Sequence, residues 1–371
     1  MKVYFISALN GNKFAGPSYS VPRTILEVSK RETVVWINML PNYNCPPDFN
    51  GKLSFISYEE YKRIGLKKII KSFGTPDFAI FEEVLNVDFC FAARKLQKIK
   101  VPYMIVPRGC LCDDAQSRKA LKKKLANLVL FNRFIKNASC IQYLTDREAA
   151  DSGEKWNKNY CIIPNGTDIP NIELKKEYSK PLKGIFIGRI DIFHKGLDLL
   201  VSACGEMREL LEGKVIFDIY GADSVGDKDR LISMIKEKHL ESLFNVLGPV
   251  YDEDKRKALL SHDFFVLTSR FEGHPMGLLE ALSYGLPALV TSGCNMGEEI
   301  EQGNCGWNSV TDTKGITISL KKLISDINEL GELSANALEL AKKYSWDNVI
   351  NTLIAQIYKI TINTENDDMK N

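Results

Sequence analysis

The chain has 371 residues, 44% hydrophobic and 26% charged, with a formal net charge of +2. That length exceeds one ordinary hydrophobic core, which predicts two domains, and the near-neutral balance argues against wholesale nucleic-acid binding. Nine scattered cysteines without a CxxC pair fit free thiols better than a disulfide framework or a zinc site. No apolar window reaches the about 18 residues of a membrane span, and Val3-Tyr4-Phe5-Ile6 is too short for a signal peptide, so a cytoplasmic protein is expected.

Short apolar runs alternate with helical patterns along the chain. In the first half, strands are expected at 3–6, 33–37, 78–81, 103–106, 140–143 and 161–163, with helices at 21–30, 87–99 and 118–137. In the second half, strands are expected at 183–187, 215–220, 245–247, 263–267 and 288–290, again with helices between them. Strands separated by helices imply βαβ units and parallel sheets, and the pattern occurs twice. The polar stretch 171–180 reads as a linker. Ser345-Trp346 opens a long amphipathic helix, and periodicity is lost after 362. The expected organisation is therefore α/β: one domain over 1–172, a second over 173–345, a helix over 346–362 and a disordered tail over 363–371.

The most informative stretch is Arg270-Phe271-Glu272-Gly273-His274-Pro275-Met276-Gly277-Leu278-Leu279-Glu280-Ala281. An apolar run before it reads as a buried strand, and Gly277 onward reads as a helix. A strand, a glycine turn and a helix N-terminus present free N–H groups and a positive dipole end, which suits a phosphate. Glu272 in the turn and Glu280 two helical turns further can grip two parts of one hydroxyl-rich ligand. Upstream, a strand ends at Gly188-Arg189 and a helix starts near Lys195. Such loops lie at the carboxyl ends of parallel strands, where a guanidinium and an ammonium can meet a diphosphate. Gly221 and Gly248 each follow a strand and would let a base or ribose approach. Singly, each of these is as well explained by an ordinary turn or surface helix.

Taken in order, Gly188-Arg189, Lys195-Gly196, Gly221, Gly248, Ser269-Arg270-Phe271-Glu272-Gly273, Glu280-Ala281 and Gly285-Leu286-Pro287 resemble the donor half of the retaining glycosyltransferases of family 4, polysaccharide-assembly type, with the GT-B fold. Ala15-Gly16-Pro17-Ser18 resembles that family's glycine loop, and Pro164-Asn165-Gly166-Thr167-Asp168 its interdomain turn. The resemblance implies two Rossmann-like domains facing across a cleft, with a final helix crossing back to the first. It implies that Arg189 and Lys195 hold the donor diphosphate, Glu280 accepts from the ribose, and Glu272 contacts the transferred sugar. The N–H groups around His274, Met276, Gly277 and Leu278 would bind sugar hydroxyls and phosphate, and Gly16 would let the first loop approach the diphosphate.

Two positions depart from the family pattern: Ala15 replaces the first of two glycines, and Arg108, in Pro107-Arg108-Gly109, stands where many members carry a sugar-contacting histidine. Arg108 is therefore a candidate catalytic residue beside Glu272, Arg189 and Lys195. The implied reaction is transfer of a sugar from a nucleotide diphosphate (UDP or GDP) to a growing, lipid-linked glycan of a bacterial surface polysaccharide, by front-face displacement with retention. A sugar-nucleotide epimerase and a non-catalytic nucleotide-sugar-binding subunit are the competing readings. No cofactor or metal is expected: Asp227/Asp229 and Asp252/Asp254 fall where acidic first helical turns are normal, and His194, His239, His262 and His274 lack metal-ligand spacing. Residues 118–136 hold Arg118, Lys119, Lys122, Lys123, Lys124, Arg133 and Lys136 without an acid, a pattern that suits docking to an anionic membrane as well as a solvated helix face.

Overall fold

The computed structural model describes residues 1–11, 16–44, 52–112, 130–152, 154–175, 177–178 and 180–368. The chain divides into two compact units, one of Met1–Gly166 with Trp346–Asn371 and one of Thr167–Ser345. The division falls at Gly166, earlier than the boundary after 172 that composition suggests. The reason is local pairing: the Thr167 N–H donates to the Tyr344 carbonyl at 2.8 Å, and Thr167 bridges Ser345 in parallel. The polar stretch after it is not a free tether either, because the Lys175 ammonium pairs with the buried Asp263 carboxylate.

Among the described residues, the first unit is built on seven strands: β1 (Lys2–Ser7), β2 (Thr33–Asn38), β3 (Leu53–Ile56), β4 (Phe78–Phe81), β5 (Tyr103–Ile105), β6 (Cys140–Tyr143) and β7 (Tyr160–Ile162). They run parallel in the order β3-β2-β1-β4-β5-β6-β7. Continuous apolar runs are what a sheet covered on both faces requires. Alternate residues of β1 and β2 feed separate cores, with Tyr4, Ile6, Val35 and Ile37 on one side and Val3, Phe5, Val34 and Trp36 on the other. The second of these cores is closed by the helix Gly16–Ser29 and by the helix Trp346–Asp368, through Trp346, Val349, Ile350, Leu353 and Ile357. Gly166 meets this helix so closely that a methyl group there would strike the Trp346 ring. The last helix also runs past 362 to Asp368, where a disordered tail is expected, since helical hydrogen bonding does not need an apolar stripe; Thr361 and Thr364 bond back to Ile357 and Ile360 at 2.9 Å each.

The second unit holds β8 (Leu182–Ile187), β9 (Val215–Tyr220), β10 (Phe244–Leu247), β11 (Phe264–Leu267), β12 (Ala288–Thr291) and β13 (Gly306–Ser309), parallel in the order β10-β9-β8-β11-β12-β13. The chain winds outward from β8 on one side and from β11 on the other. The order therefore reverses between β8 and β11, and the loops leaving their carboxyl ends flank a crevice. Among the described residues, no helix is long and apolar enough to cross a membrane. The basic stretch singled out above lies outside the described residues up to 129; its remainder contains a five-residue helix, Asn132–Lys136.

If the last helix is an integral part of the first core, Ile357→Ala, at a fully buried position, should destabilise that unit by about 2–5 kcal/mol, the usual cost of truncating a buried aliphatic side chain. Urea unfolding followed by hydrogen exchange across β1 and β2 checks this; protection unchanged from the wild type would show the helix to be dispensable.

Candidate functional site

Two loops meet at the reversal point of the second sheet. The loop after β8 carries Gly188, Arg189, Asp191, His194 and Lys195, and the turn after β11 carries Ser269 to His274 before the helix Met276–Ser283 begins. Their docking is backbone-deep. The Thr268 hydroxyl lies 3.1 and 3.0 Å from the Lys195 and Gly196 carbonyls, and the Arg270 N–H donates to the His194 carbonyl at 3.0 Å. Gly196 has φ +61°, and a Cβ there would strike the Thr268 carbonyl, so this position needs glycine. The Arg270 guanidinium adds a two-pronged bond to Asp198, at 2.7 Å on each oxygen, and lies over the Phe193 ring.

This docking brings the expected charges together. The Lys195 ammonium donates to Glu272 Oε1 at 2.5 Å, and the Ser269 hydroxyl donates to the same oxygen at 2.7 Å. Both charged side chains are largely shielded, with 13% and 12% of their surfaces exposed, so their mutual attraction is screened little. Glu272 Oε2 has no partner among the described residues and remains available to a hydroxyl donor. Asn295, on the far side of the turn, holds its backbone by donating to the Glu272 carbonyl at 2.5 Å. The amides of Met276 and Gly277 have no acceptor among the described residues, and Pro275 supplies no side-chain cap; the helix therefore presents free donors at its positive end. Gly277 lets this helix start close over β8, since a Cβ there would lie 3.1 Å from the Ile187 carbonyl.

Other expected residues play different parts. Glu280 projects from the same helix and pairs with Lys255 at 2.7 Å. Gly221 packs against the loop after β8, where a Cβ would come within 2.8 Å of Ile190 Cγ1; its need for glycine is thus met by packing. Gly248 is exposed and Gly16 half-exposed or more, and neither has a neighbour within 4 Å of where a Cβ would stand. Leu278 is a core residue rather than a ligand contact: its side chain is fully buried and its N–H donates to the Pro275 carbonyl at 3.0 Å. His274 is also buried, and burial pushes its pKa down to about 3, so its ring is neutral near pH 7.

Arg108 belongs to the first unit, and its guanidinium is engaged there. It donates from Nη2 and Nε to Glu82 Oε2 at 2.6 and 3.1 Å, and from Nη1 to Ser20 at 3.0 Å and Asn165 at 3.4 Å. The turn that carries it has φ of +51° at Arg108 and +81° at Gly109, and is braced by the Gly109 N–H donating to Glu148 at 2.5 Å. Arg108 therefore clamps chain segments together, and the sugar contact expected of it does not follow from this geometry. Within the Asp-x-Asp strings, Asp227 accepts the Ile192 N–H at 2.8 Å, while Asp252 and Asp254 open the helix Asp252–Ser261.

Sequence reasoning missed His194, Asn295 and Lys255, and it read Ser269 only as part of a motif, without a role. His194 lies between the two expected cations in sequence, and that adjacency was the available signal. Its Nδ1 is 3.2 Å from Arg189 Nη2, its Nε2 is 2.8 Å from the Phe271 carbonyl, and its ring stacks on Phe271 at 4.3 Å. Burial, aided by Lys195 and Arg189, holds it below the usual histidine range, while Glu272 and Asp191 pull the other way.

With this geometry in view, comparison with known proteins places the second unit. Residues 170–343 match the family Glycosyl transferases group 1. That match spans the second unit almost from end to end. Over 374 aligned residues the chain is 23% identical to Protein CapJ of Staphylococcus aureus, covering 94% of this chain and 89% of that one. It is 28% identical to the Amylovoran biosynthesis glycosyltransferase AmsK of Erwinia amylovora, covering 37% of this chain and about a third (34%) of AmsK. Anabaena HepE in complex with UDP superposes with a TM-score of 0.72 at 15% identity, covering 97% of this chain and all of that one, which identifies the fold as GT-B. One of these relatives is thus named for polysaccharide biosynthesis.

The buried His274 links folding to pH. In the unfolded chain it takes up a proton near pH 6.5, whereas in the folded second unit it stays neutral down to about pH 3. The unfolded state therefore binds more protons across that window, and stability should fall on acidification by up to about 1.4 kcal/mol per pH unit from this residue. Urea titrations of wild type and His274→Gln between pH 7 and 5 check the sign, and the variant should show the shallower dependence.

Proposed function

We propose that the protein is a retaining glycosyltransferase that transfers a sugar from a nucleotide diphosphate to a lipid-linked glycan during assembly of a surface polysaccharide. The observation that carries this reading is the Lys195–Glu272 pair, set beside Arg189 and the free helix amides at the reversal point of the donor sheet. Cleaving a sugar–phosphate bond leaves an oxocarbenium-like sugar and gathers charge on the departing diphosphate. Arg189, Lys195 and the amides of Met276 and Gly277 stabilise that anion with donors already in place, which is where preorganised electrostatics act most strongly. Glu272 Oε2 accepts a hydroxyl of the transferred sugar, and Glu280, steadied by Lys255, accepts from the ribose. The departing phosphate oxygen takes the proton of the acceptor hydroxyl, so the new bond forms on the face the leaving group has just vacated. The exposed edge of Gly248 suits the approach of the base. No resident metal is assigned a role in this scheme.

Because the diphosphate charge grows as the bond breaks, Arg189→Ala and Lys195→Ala should each raise the barrier by about 2–4 kcal/mol and act on turnover more than on donor affinity. Glu280→Ala should instead weaken UDP or GDP binding in calorimetry, with Glu272→Ala chiefly slowing turnover. Near-normal transfer rates in both cation variants would remove the assigned roles, and absence of transfer by the wild type would favour a non-catalytic nucleotide-sugar-binding subunit.

A lipid-linked acceptor gives the basic stretch 118–136 a purpose, since each cation near anionic lipid gains roughly 1 kcal/mol. Wild type should co-sediment with anionic vesicles, less so as salt rises, and Lys122→Glu/Lys123→Glu/Lys124→Glu should remain in the supernatant. Equal sedimentation of the two proteins would return this segment to a solvated helix face.

A further inference from the structure

The catalytic scheme uses Arg189 and Glu272 but not the ring that stands between them. His194 touches both loops of the site: Arg189 Nη2 lies 3.2 Å from Nδ1, and the Phe271 carbonyl lies 2.8 Å from Nε2. The partners' chemistry settles which nitrogen carries hydrogen. A carbonyl only accepts, so Nε2 must be protonated; a guanidinium only donates, so Nδ1 must offer its lone pair. Only the neutral Nε2–H tautomer satisfies both contacts. The ring has little room to choose otherwise, because it stacks on Phe271 with 25° between the planes and its own backbone N–H donates to Asp191 Oδ1 at 3.0 Å.

We propose that neutral His194 is a positioning residue, its Nδ1 lone pair fixing the Arg189 guanidinium and its Nε2–H tying the same loop to Phe271, next to Glu272. The proposal rests on the function proposed above for what Arg189 holds. It makes one imidazole set the spacing between the cation that meets the leaving phosphate and the carboxylate that meets the sugar. The charged groups facing the ring are Arg189 and Lys195, which are positive, and Asp191 and Glu272, which are negative. A proton added at Nδ1 would turn an N–H toward the Arg189 donor and set two like charges in contact. Asp191 Oδ2, 3.8 Å from Nδ1, would then attract the new N–H, and Arg189 would leave its place. Activity should consequently fall on the acid side of neutrality through misplacement of Arg189, with no chemical step assigned to the imidazole itself.

Three substitutions separate the contacts. His194→Phe keeps the stacking and loses both hydrogen bonds; His194→Asn puts an amide oxygen near Nδ1, and His194→Gln puts an amide N–H near Nε2. With a nucleotide sugar that the wild type turns over, His194→Phe should lose about 10- to 100-fold in kcat/KM, as misplaced catalytic groups do, with most of the loss in kcat. His194→Asn should recover part of that loss and show a flattened acid limb, because it accepts from Arg189 without titrating. His194→Gln should behave like the Phe variant. Long-range proton–nitrogen NMR of the imidazoles supplies a readout independent of turnover. The signal missing in His194→Asn should report the Nε2–H tautomer in the wild type at neutral pH, and its Nδ1 resonance should move in Arg189→Ala. Wild-type kcat/KM with an unchanged acid limb in His194→Phe, or an Nδ1–H tautomer by NMR, would overturn the proposal. If the wild type turns over no nucleotide sugar, the functional reading fails, while the NMR result still decides whether His194 holds Arg189.

Discussion

The near-contact of Gly196 with the Thr268 carbonyl governs the candidate site of the second unit. A Cβ at that position would force the loop after β8 away from the turn after β11. With glycine there, the Thr268 hydroxyl reaches two carbonyls of the opposing loop, and the Arg270 amide and guanidinium close on the carbonyls of His194 and Phe193. Side-chain chemistry is then arranged on a backbone that is already joined. Lys195 follows from this arrangement, because its ammonium can meet Glu272 only if its own carbonyl is pinned across the crevice.

That joint also addresses an electrostatic difficulty. Arg189, Lys195 and a helix N-terminus are three sources of positive potential gathered at one place, and bringing them together costs free energy in proportion to how well water is excluded. Two of the three are moderated by a specific neighbour, Lys195 by Glu272 and Arg189 by the lone pair of His194, and the Glu272 oxygen also accepts from Ser269. An arriving dianion would find donors already oriented and would need to displace little. Preorganisation of this kind is what separates a catalytic cluster of charges from a merely cationic surface.

The sequence revealed the alternation of elements and the identity of the paired residues more clearly than the contacts between them. Eleven of the strands were legible because parallel strands covered on both faces are uninterrupted apolar runs. The two overlooked strands are edges, β3 (Leu53–Ile56) and β13 (Gly306–Ser309), where one neighbour is missing and the apolar signal thins. The helix Tyr58–Phe73 escaped as well, because Gly65, at φ +69°, breaks its periodicity in the middle. Within the site, Arg189, Lys195, Glu272 and Glu280 could be picked out by residue type and spacing. Asn295 and Lys255 could not, since each comes from a different βα connection and only the folded sheet brings it near its partner. Arg108 shows the opposite limit: its residue type suggested a ligand contact, whereas the buried carboxylate of Glu82, just after β4, uses the guanidinium internally.

The helix Trp346–Asp368 follows the second unit in sequence yet completes the core of the first. The order of synthesis is therefore the reverse of the order in which the two units can mature. Thr167–Ser345 emerges with all of its strands and can close its core while the earlier unit still shows the apolar faces of Val21, Ile25 and Val28. Those faces stay uncovered for as long as it takes to translate the intervening residues, at roughly 5–20 per second, which makes nascent chains candidates for chaperone capture. A chain cut short before Trp346 would then combine a well-formed second unit with a permanently sticky first one, and its fate would be decided by aggregation or proteolysis rather than by any defect in the chemistry.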